Sequence, residues 1–276
     1  IAVGNPTPTS FYDAFVTAAS QPGSTITQLN GYYKMQDMTA DICGAVDIEE
    51  DQISLIDVRD NNVYNVAKLK DNRCWMIQNL RFSGTSLDSA TSNVDSIYTT
   101  SNPLTINWLE LKTDSNCYYD GSSGKGWINT CMHKPDVEDL ANISSLGYTS
   151  EDIGAWYNYA GLTVGTITGA SNTAKAQFSI CPANWMLPTY IADSGEFSTL
   201  KNILSSDPSS FNPIYGGAMI NGGYRYPTTK GTWYSSDQAG SQNSFRGGLD
   251  YSENSLNFFT ASRYDGRYVR CIANNE

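Results

Sequence analysis

Charged side chains are scarce in this sequence. Asp, Glu, Lys and Arg make up 16% of its 276 residues, whereas soluble domains usually contain about 25%. Acidic residues predominate, so the formal net charge is -11, and the 17 Lys and Arg form no cluster. Such a surface repels a phosphate backbone and has no basic patch that could release counterions from a nucleic acid. We therefore exclude DNA and RNA as partners.

Long apolar runs are also missing. No apolar stretch reaches the ~18 residues that a membrane-spanning helix needs, so we predict no membrane span in this chain. The sequence opens with IAVGNPTPTS, where a signal peptide would carry a charged and then an apolar segment. We therefore expect a mature, exported protein whose leader has been removed.

The cysteines lack the spacing of a metal or redox site. They number six, lie between positions 43 and 271, and include no C-x-x-C or Cys/His pattern. Zinc and thioredoxin chemistry are thus disfavoured. An even set of cysteines in a weakly charged chain is typical of disulfides formed outside the cytoplasm. We predict an extracellular protein at the cell surface.

Catalytic groups are few. The single histidine, His133, would have to serve any Ser-His-Asp or Cys-His site, but its place in TCMHKPD favours an ordinary surface residue. Carboxylates are paired in Glu49-Glu50-Asp51 and in Glu151-Asp152, where they flank a strand and cap a helix. Glycoside hydrolysis needs two carboxyls about 5 to 9 Å apart across a cleft. We predict no catalytic residue and no cofactor.

One run has some features of a calcium loop. DSNCYYDGSSGKG places Asp114, Asn116, the Tyr118 carbonyl and Asp120 at alternate positions before a glycine. A calcium loop also needs a bidentate Glu further on, which this run lacks at the expected place. The pattern favours a turn, and we predict no metal site, with a calcium ion near Asp114 to Asp120 left open.

The front segment, residues 1–30, contains an amphipathic helix. Ser10 precedes it, and Asp13 stands at the capping-box spacing. Four apolar residues then fall on one helical face: Phe11, Ala14, Phe15 and Ala18. We expect this face to pack on the parent domain. The alternative is packing on a neighbouring subunit, which would make residues 1–30 the contact of a homo-oligomer or fibre.

Period-two alternation begins at Tyr32 and predicts a strand meander. The stretch SLIDVRDNNVYNVAKLKDNRCWMI reads as three strands joined by Asp-Asn-Asn and Lys-Asp-Asn-Arg turns. Residues 83–135 have no sustained period, which favours long loops and short strands. Two further helices are predicted, one from Glu151 to Gly161 with Trp156, Tyr159 and Ala160 buried, and one over GEFSTLKNIL with Ser194 as its cap.

Several motifs together resemble a known family. CPANWMLPT, GTWYSSD and GRYVRCIANN, with the earlier DNNVYNVAKLKDNRCWMIQNLRF, are similar to the Fibrobacter succinogenes major paralogous domain of bacterial surface and secreted proteins. That family looks related to the C-type lectin-like fold and to the formylglycine-generating sulfatase-modifying fold. The resemblance implies an α+β, C-type lectin-like module over 31–276, with short antiparallel strands, two main helices and long disulfide-pinned loops.

The resemblance, with the order of the cysteines, also implies which residues hold the fold together. The expected bridges are Cys43–Cys74, Cys117–Cys131 and Cys181–Cys271. Three tryptophans inside the family-like motifs, Trp75, Trp185 and Trp233, are expected in the core. The formylglycine-generating relatives use cysteines as redox or copper ligands, but a structural Cys181–Cys271 bridge would occupy that place. An enzyme of that type is therefore only a weak alternative.

Function is predicted to reside in the last third of the chain. Tyr and Trp interleaved with Ser, Gly, Asn and Arg are typical of recognition surfaces. We expect loops over 215–266 to present the ligand contacts: Trp127, Tyr224, Arg225, Tyr226, Arg246, Tyr251, Arg263 and Tyr264. The calcium-lectin signatures Glu-Pro-Asn and Trp-Asn-Asp are absent. The predicted function is adhesion to a surface glycan, peptide or protein; the alternative is a structural subunit of a surface layer, filament or pilus.

Overall fold

A computed structural model shows an α+β chain. It describes residues 9–48, 51–82, 84, 86–95, 98–99, 132–135, 140–141, 143–164, 175–190, 195–204, 208–220, 223–240, 243–252 and 255–274. In these residues the α-helices are α1 Phe11–Ala19, α2 Ala40–Ala45, α3 Ser150–Ile153, α4 Tyr159–Leu162 and α5 Glu196–Ile203. The longest of these helices are α1 and α5, where the sequence predicts the front-segment helix and the helix over GEFSTLKNIL.

The strands form one large and several small sheets. In chain order they are β1 Gln28–Leu29, β2 Tyr32–Lys34, β3 Gln52–Ile56, β4 Val63–Lys68, β5 Cys74–Met76, β6 Ser86–Leu87, β7 Tyr98–Thr99, β8 Met132–His133, β9 Trp156–Tyr157, β10 Trp185–Met186, β11 Ala218–Ile220, β12 Gly223–Arg225, β13 Lys230–Gln238, β14 Asn243–Asp250, β15 Ser255–Ser262 and β16 Ile272–Ala273. A curled seven-stranded sheet has the order β1-β2-β3-β4-β5-β16-β10, and β13-β14-β15 form a second sheet.

Helix α1 begins where the sequence predicts. Ser10 Oγ accepts a hydrogen bond from the Asp13 N–H at 3.1 Å and donates one to Asp13 Oδ2 at 2.8 Å. The cap therefore satisfies an N–H that the first turn leaves unpaired. Phe11 and Phe15 are fully buried, and the Phe15 ring stacks on Tyr33 with 4.7 Å between ring centroids. The apolar face of α1 thus packs on its own chain and shares its core.

The predicted meander is confirmed by three consecutive antiparallel strands, β3, β4 and β5. Each of its two turns contains an asparagine in the left-handed region, Asn61 with φ 61° and Asn72 with φ 64°. Asparagine tolerates that conformation better than other residues with a Cβ atom. Strand β16, from the end of the chain, pairs with β5 on one side and β10 on the other.

Two disulfides link distant parts of this sheet region. Cys43 bonds Cys74, and Cys181 bonds Cys271, each with 5.9 Å between Cα atoms. These are the pairings expected for those four residues. They close loops with sequence separations of 31 and 90, for which the chain-entropy estimate of stabilisation is roughly 4 to 5 kcal/mol each. Cys117 and Cys131 lie outside the described residues.

The single helix predicted from Glu151 to Gly161 is wrong. Gly154 is the C-cap of helix α3. Its φ of 74° favours glycine, and a Cβ added there would meet Asn79 Cβ at 2.7 Å. The Ala155 N–H then donates a hydrogen bond to the Leu80 carbonyl at 3.0 Å, so the backbone leaves the helix and turns towards the segment that contains Leu80. Strand β9 and helix α4 follow. The predicted buried residues are nevertheless all buried: Trp156, Tyr159 and Ala160.

Helix α5 lies where it is predicted but begins differently. Gly195 occupies the N-cap position without a side-chain cap, while Ser194 lies outside the described residues. Glu196, in the first turn, accepts a hydrogen bond from the Thr189 N–H at 2.7 Å. A Cβ on residue 195 would meet the Thr189 carbonyl oxygen at 2.6 Å, so the close approach of the two segments requires glycine there.

Two apolar clusters form the core. One contains α1 and much of the seven-stranded sheet, with Trp185 at its centre. The other lies between that sheet and the three-stranded sheet and contains Trp75 and Trp233. All three tryptophans are fully buried, as predicted.

Candidate ligand-binding site

The last third of the described chain is a regular sheet rather than a set of loops. Strands β14 and β15 pair without interruption from Asn243 to Asp250. Strand β13 pairs with β14 from Lys230 to Tyr234 and again at Gln238, with a shift in register between these two residues. The sequence predicts short strands and Gly-rich turns after the helix over GEFSTLKNIL, and strands are indeed present there. The ligand-presenting loops expected over 215–266 are reduced to the short connections between these strands. Glycine and serine within these strands, as in FRGGLD, weaken the alternation by which strands are recognised.

The two faces of this sheet differ. Side chains alternate between faces along each strand. Trp233, Leu249 and Leu256 point to one face and are buried in the second core cluster. The register places Arg246 opposite Phe259 on the other, outer face. Tyr234 is opposite Arg246 on its other side, so these three residues form one row across the sheet. We call the Tyr234 corner of this row, where Asp265 and Arg267 lie against the ring, the covered end. The part of the outer face from Arg246 and Phe259 to Lys230 is called the open end.

At the covered end an arginine forms an ion pair within the chain. Tyr234 is fully buried, and its hydroxyl donates to the carbonyl oxygen of Ser262 at 2.6 Å. Arg267 lies over the Tyr234 ring and pairs with Asp265 through Nη2 and Oδ2 at 2.7 Å. Its Nη1 donates to Thr232 Oγ1 at 3.1 Å. This arginine is a structural residue.

At the open end the arginine is not paired. The Arg246 guanidinium lies 5.0 Å from the centroid of the Phe259 ring, a cation–π geometry. Its Nε is buried without a hydrogen-bond partner, and no ion pair to a described carboxylate is formed. The nearby Lys230 instead pairs with Asp250 at 3.3 Å. Nε of Arg267 also lacks a hydrogen-bond partner, so what distinguishes Arg246 from Arg267 is that no described carboxylate forms an ion pair with it.

A shallow cleft of about 190 Å³ opens beside this guanidinium. The lining side chains come from all three strands: Lys230, Thr232, Arg246, Leu249, Asp250, Asn257 and Phe259. Gly248 also lines it. An added Cβ at Gly248 would stand 2.8 Å from Arg246 Nη1, so the absence of a side chain there provides the space for the guanidinium. The cleft combines a cation, an aromatic ring, an amide and a carboxylate.

The electrostatic environment of Arg246 favours an anion. Burial, and after it the positive charge of Arg267, lower the pKa of Arg246 to about 10. The group stays protonated at neutral pH, but its charge is poorly solvated. An anion bound in the cleft would relieve both effects, because it would attract the charge and accept its hydrogen bonds.

Two tyrosines of the predicted set are exposed near the open end. Tyr226 is 51% exposed and lies over Lys230, with 5.3 Å from the ring centroid to Nζ. Tyr251 is 63% exposed and packs edge-on against Tyr215. Residues 226 and 228, in the turn between β12 and β13, have φ of 59° and 65°. Strained backbone of this kind clusters at ligand sites.

Other predicted contacts lie elsewhere. Arg225 is exposed on β12. Tyr224 packs against Trp156 and donates its hydroxyl proton to the Gly216 carbonyl at 2.8 Å, and Tyr264 is half-buried. Arg263 is fully buried over the Tyr159 ring, so its assignment as a ligand contact is wrong. Trp127 lies outside the described residues.

Of the eight residues that line the cleft, the sequence predicts only Arg246 as a ligand contact. Phe259, Lys230 and Asn257 are among those it misses, since none of them stands in a turn. The signal that could have found them is the register, because Arg246 is opposite Phe259, and Asn257 is opposite Gly248. The sequence predicts short strands here but not which of their residues are opposite one another.

A second concavity lies between α1 and α2. It measures about 280 Å³ and is lined mainly by small and apolar residues: Thr9, Ala14, Thr17, Ala18, Gln21, Asp41, Ile42 and Ala45. The only charge on its lining is Asp41. It therefore offers no group that would orient an anionic ligand.

The described part of the chain contains neither a cluster of metal ligands nor a helix that could span a membrane. No cluster of three or more His, Cys, Asp or Glu is arranged to hold a metal ion there. The run from Asp114 to Asp120 falls outside that part. None of the described helices has the length and apolar character needed to cross a bilayer.

Comparisons with known proteins give this chain no relative. No family model, no curated protein and no solved structure matches it.

Proposed function

We propose that this chain is an exported, non-catalytic binding module of the bacterial cell surface, and that its ligand binds at the open end of the three-stranded sheet. The observation that carries the proposal is the unpaired Arg246 beside Phe259 in a cleft that the fold keeps open with a glycine. A polar group buried without a partner destabilises the free protein. Its retention on an accessible face fits a group that is paired by a ligand.

The surroundings of the cleft support recognition. Tyr226, Tyr251 and Phe259 are each more than half exposed, and aromatic and Arg side chains dominate binding energy when a partner removes water from them. The strand framework holds the cleft residues rigidly, since Arg246 lies in the middle strand of the sheet. A site built on strands loses less conformational entropy on binding than one built on loops.

Location and fold family are part of the proposal. Disulfides and a weakly charged surface are compatible with an extracellular protein. The C-type lectin-like assignment and the family resemblance are supported by the order of elements. The Leu187-Pro188-Thr189 segment leads towards α5, and Val269-Arg270-Cys271 leads into the last strand. An enzyme is not proposed, because Cys181 and Cys271 are held in a disulfide.

The test compares two exposed aromatic positions. We would screen the purified protein on glycan and peptide arrays, together with Phe259→Ala at the open end and Tyr12→Ala on α1 as the matched control. Tyr12 is 58% exposed and far from the cleft in sequence and sheet. The expected result is that array signals fall at least tenfold in Phe259→Ala and persist in Tyr12→Ala. Signals that persist in Phe259→Ala would place the binding surface elsewhere and refute the proposal.

A structural subunit is the second candidate, favoured by the outer surface of α1. Tyr12 is 58% and Val16 is 42% exposed there, next to the concavity between α1 and α2. Subunit contacts through residues 1–30 would cover them. Light scattering during size-exclusion chromatography should then show assembly in the wild type and a monomer in Val16→Asp. A wild-type monomer at all concentrations tested would rule this candidate out.

A further inference from the structure

We infer that the open-end cleft recognises the carboxylate of an acidic sugar, with Arg246 as the residue that binds the carboxylate. This inference rests on the proposed function and specifies its ligand class. The sugar would be of the uronic or sialic acid type, with one carboxylate and several hydroxyls on a single ring. Arg246 would donate to the carboxylate, and the sugar ring would lie beside Phe259 and Asn257.

A comparison of Arg267 with Arg246 indicates which chemical group would pair with Arg246. Arg267 has a carboxylate 2.7 Å away and a hydroxyl 3.1 Å away. Arg246 has neither, although its Nε is as inaccessible to water as an interior atom. A guanidinium presents two parallel N–H groups that fit the two oxygens of a carboxylate. Asp265 supplies that carboxylate to Arg267, whereas no described carboxylate forms an ion pair with Arg246.

The charges around the cleft favour one carboxylate rather than a polyanion. Lys230 is already paired with Asp250, so one cation remains for the ligand. The chain as a whole carries a formal charge of -11, and this repels a densely charged ligand at long range. A sulfated polymer or an acidic peptide with several charges would meet that repulsion, whereas a sugar with one carboxylate would meet it least.

The other lining groups favour a sugar over a peptide terminus. Asp250 offers acceptor oxygens, and Asn257 offers both an acceptor and donors. Sugar hydroxyls both donate and accept, so they can use both groups, whereas a peptide terminus without hydroxyl side chains has fewer groups that do both. The volume of about 190 Å³ is smaller than the pockets of 300 Å³ or more that hold drug-sized ligands. It fits one ring, with the face of Phe259 beside it.

The experiment is calorimetric titration of the full chain with defined probes. The probes are methyl glucuronoside, N-acetylneuraminic acid, methyl glucoside as the neutral control, and a tripeptide with a free carboxyl terminus. The variants are Arg246→Met, Arg246→Lys and Gly248→Val, with Arg225→Met as the matched control, since Arg225 is an exposed arginine that does not line the cleft. Thermal melting would first establish that each variant is folded.

The expected result has three parts. One of the two acidic sugars binds, and the neutral glucoside binds at least tenfold more weakly. Arg246→Met and Gly248→Val weaken the acidic sugar at least tenfold, and Arg246→Lys weakens it severalfold, because a point charge replaces a bidentate fork. Arg225→Met binds as the wild type does. A variant that melts as the wild type does but binds the acidic sugar more weakly shows that the residue acts in binding and not in folding.

Three results would overturn the inference. Equal binding of the glucoside and the acidic sugars, wild-type affinity in Arg246→Met, or no binding of either acidic sugar would each do so. Binding of the tripeptide alone would assign the cleft to peptides. In all of these cases the proposed function still stands if array signals depend on Phe259, and it fails separately if they do not.

Discussion

The covered and open ends of the three-stranded sheet contain similar residues that have different roles. Each has an arginine beside an aromatic ring on the outer face, Arg267 over Tyr234 and Arg246 over Phe259. The segment after β15 crosses the first pair and supplies Asp265 to Arg267. Nothing in the described chain supplies an equivalent partner to Arg246. The difference shows that hydrogen-bond bookkeeping separates a structural arginine from one available to a ligand, where residue type alone does not.

The largest effect is expected on the inner face of the sheet. Trp233→Ala should lower the free energy of unfolding by about 3 to 5 kcal/mol, since it removes a fully buried side chain and its bond to Asn79. Trp75→Ala and Trp185→Ala should behave similarly. Phe259→Ala on the outer face should change it by less than about 1 kcal/mol. Urea denaturation measures both, and equal effects would show that the two faces are misassigned.

A second, comparably large effect is expected at the covered end. Arg267→Met should lower the free energy of unfolding by about 3 kcal/mol, because it leaves the Asp265 carboxylate buried without its cation. The double variant Arg267→Met/Asp265→Leu should recover part of the loss. Urea denaturation of the single and double variants checks this, and strict additivity would mean that the pair is not coupled.

The stability of the protein should depend on pH in opposite ways through one aspartate at the covered end and one at the open end. Burial raises the pKa of Asp237 at the covered end, whereas hydrogen bonds from Ser252 lower the pKa of Asp250 at the open end. Below its raised pKa the folded state binds a proton that the unfolded state has lost, so Asp237 makes stability fall as pH rises from about 4. Asp250 contributes stability above about pH 4, which is lost in more acidic solution.

The measurement is the free energy of unfolding across about pH 3 to 8. Asp237→Asn should reduce the fall in the free energy of unfolding towards neutral pH. The variant keeps its hydrogen bond, since an amide oxygen can still accept from the Tyr190 N–H. Asp250→Asn should remove a smaller contribution that the wild type gains above about pH 4. Identical pH profiles in the two variants would contradict the assignment.

The smallest effect is expected from the residue on which the proposed function depends. Arg246→Met should leave the free energy of unfolding unchanged or raise it by up to about 1 kcal/mol, because burial and repulsion from Arg267 destabilise the charged side chain. A clear loss of stability, as in Arg267→Met, would show that Arg246 has a structural partner and would remove the contrast.

Local chemistry made part of the fold predictable. The Ser10 cap, the asparagines of the two meander turns and the helix over GEFSTLKNIL each depend on residues within a few positions of one another. The tryptophans of the core were predictable because large apolar side chains beside apolar neighbours are buried. These features do not require knowledge of which segments pair.

The candidate site depends on pairing at a distance, which is why it was predicted only in part. The position of Arg263 beside turn residues in SRYDGRYVRC predicts a ligand contact, yet its side chain is buried next to an aromatic ring, as are those of Arg267 and Arg270. Arg270 replaces water by bonds to Asn79 and to carbonyl groups. Nothing local distinguishes such an arginine from Arg246, since the difference arises only when β13, β14 and β15 are in register.

The position of β16 sets the order in which the chain can fold. This strand, completed by residue 273, fills the gap between β5 and β10, and Cys271 forms the bridge to Cys181. The seven-stranded sheet therefore stays in two parts while the chain is being synthesised, until its last strand has emerged. Contacts between residues so far apart in sequence form slowly because the intervening chain must be ordered first. The large sheet of a newly made chain therefore closes only after almost all of the described chain has been synthesised.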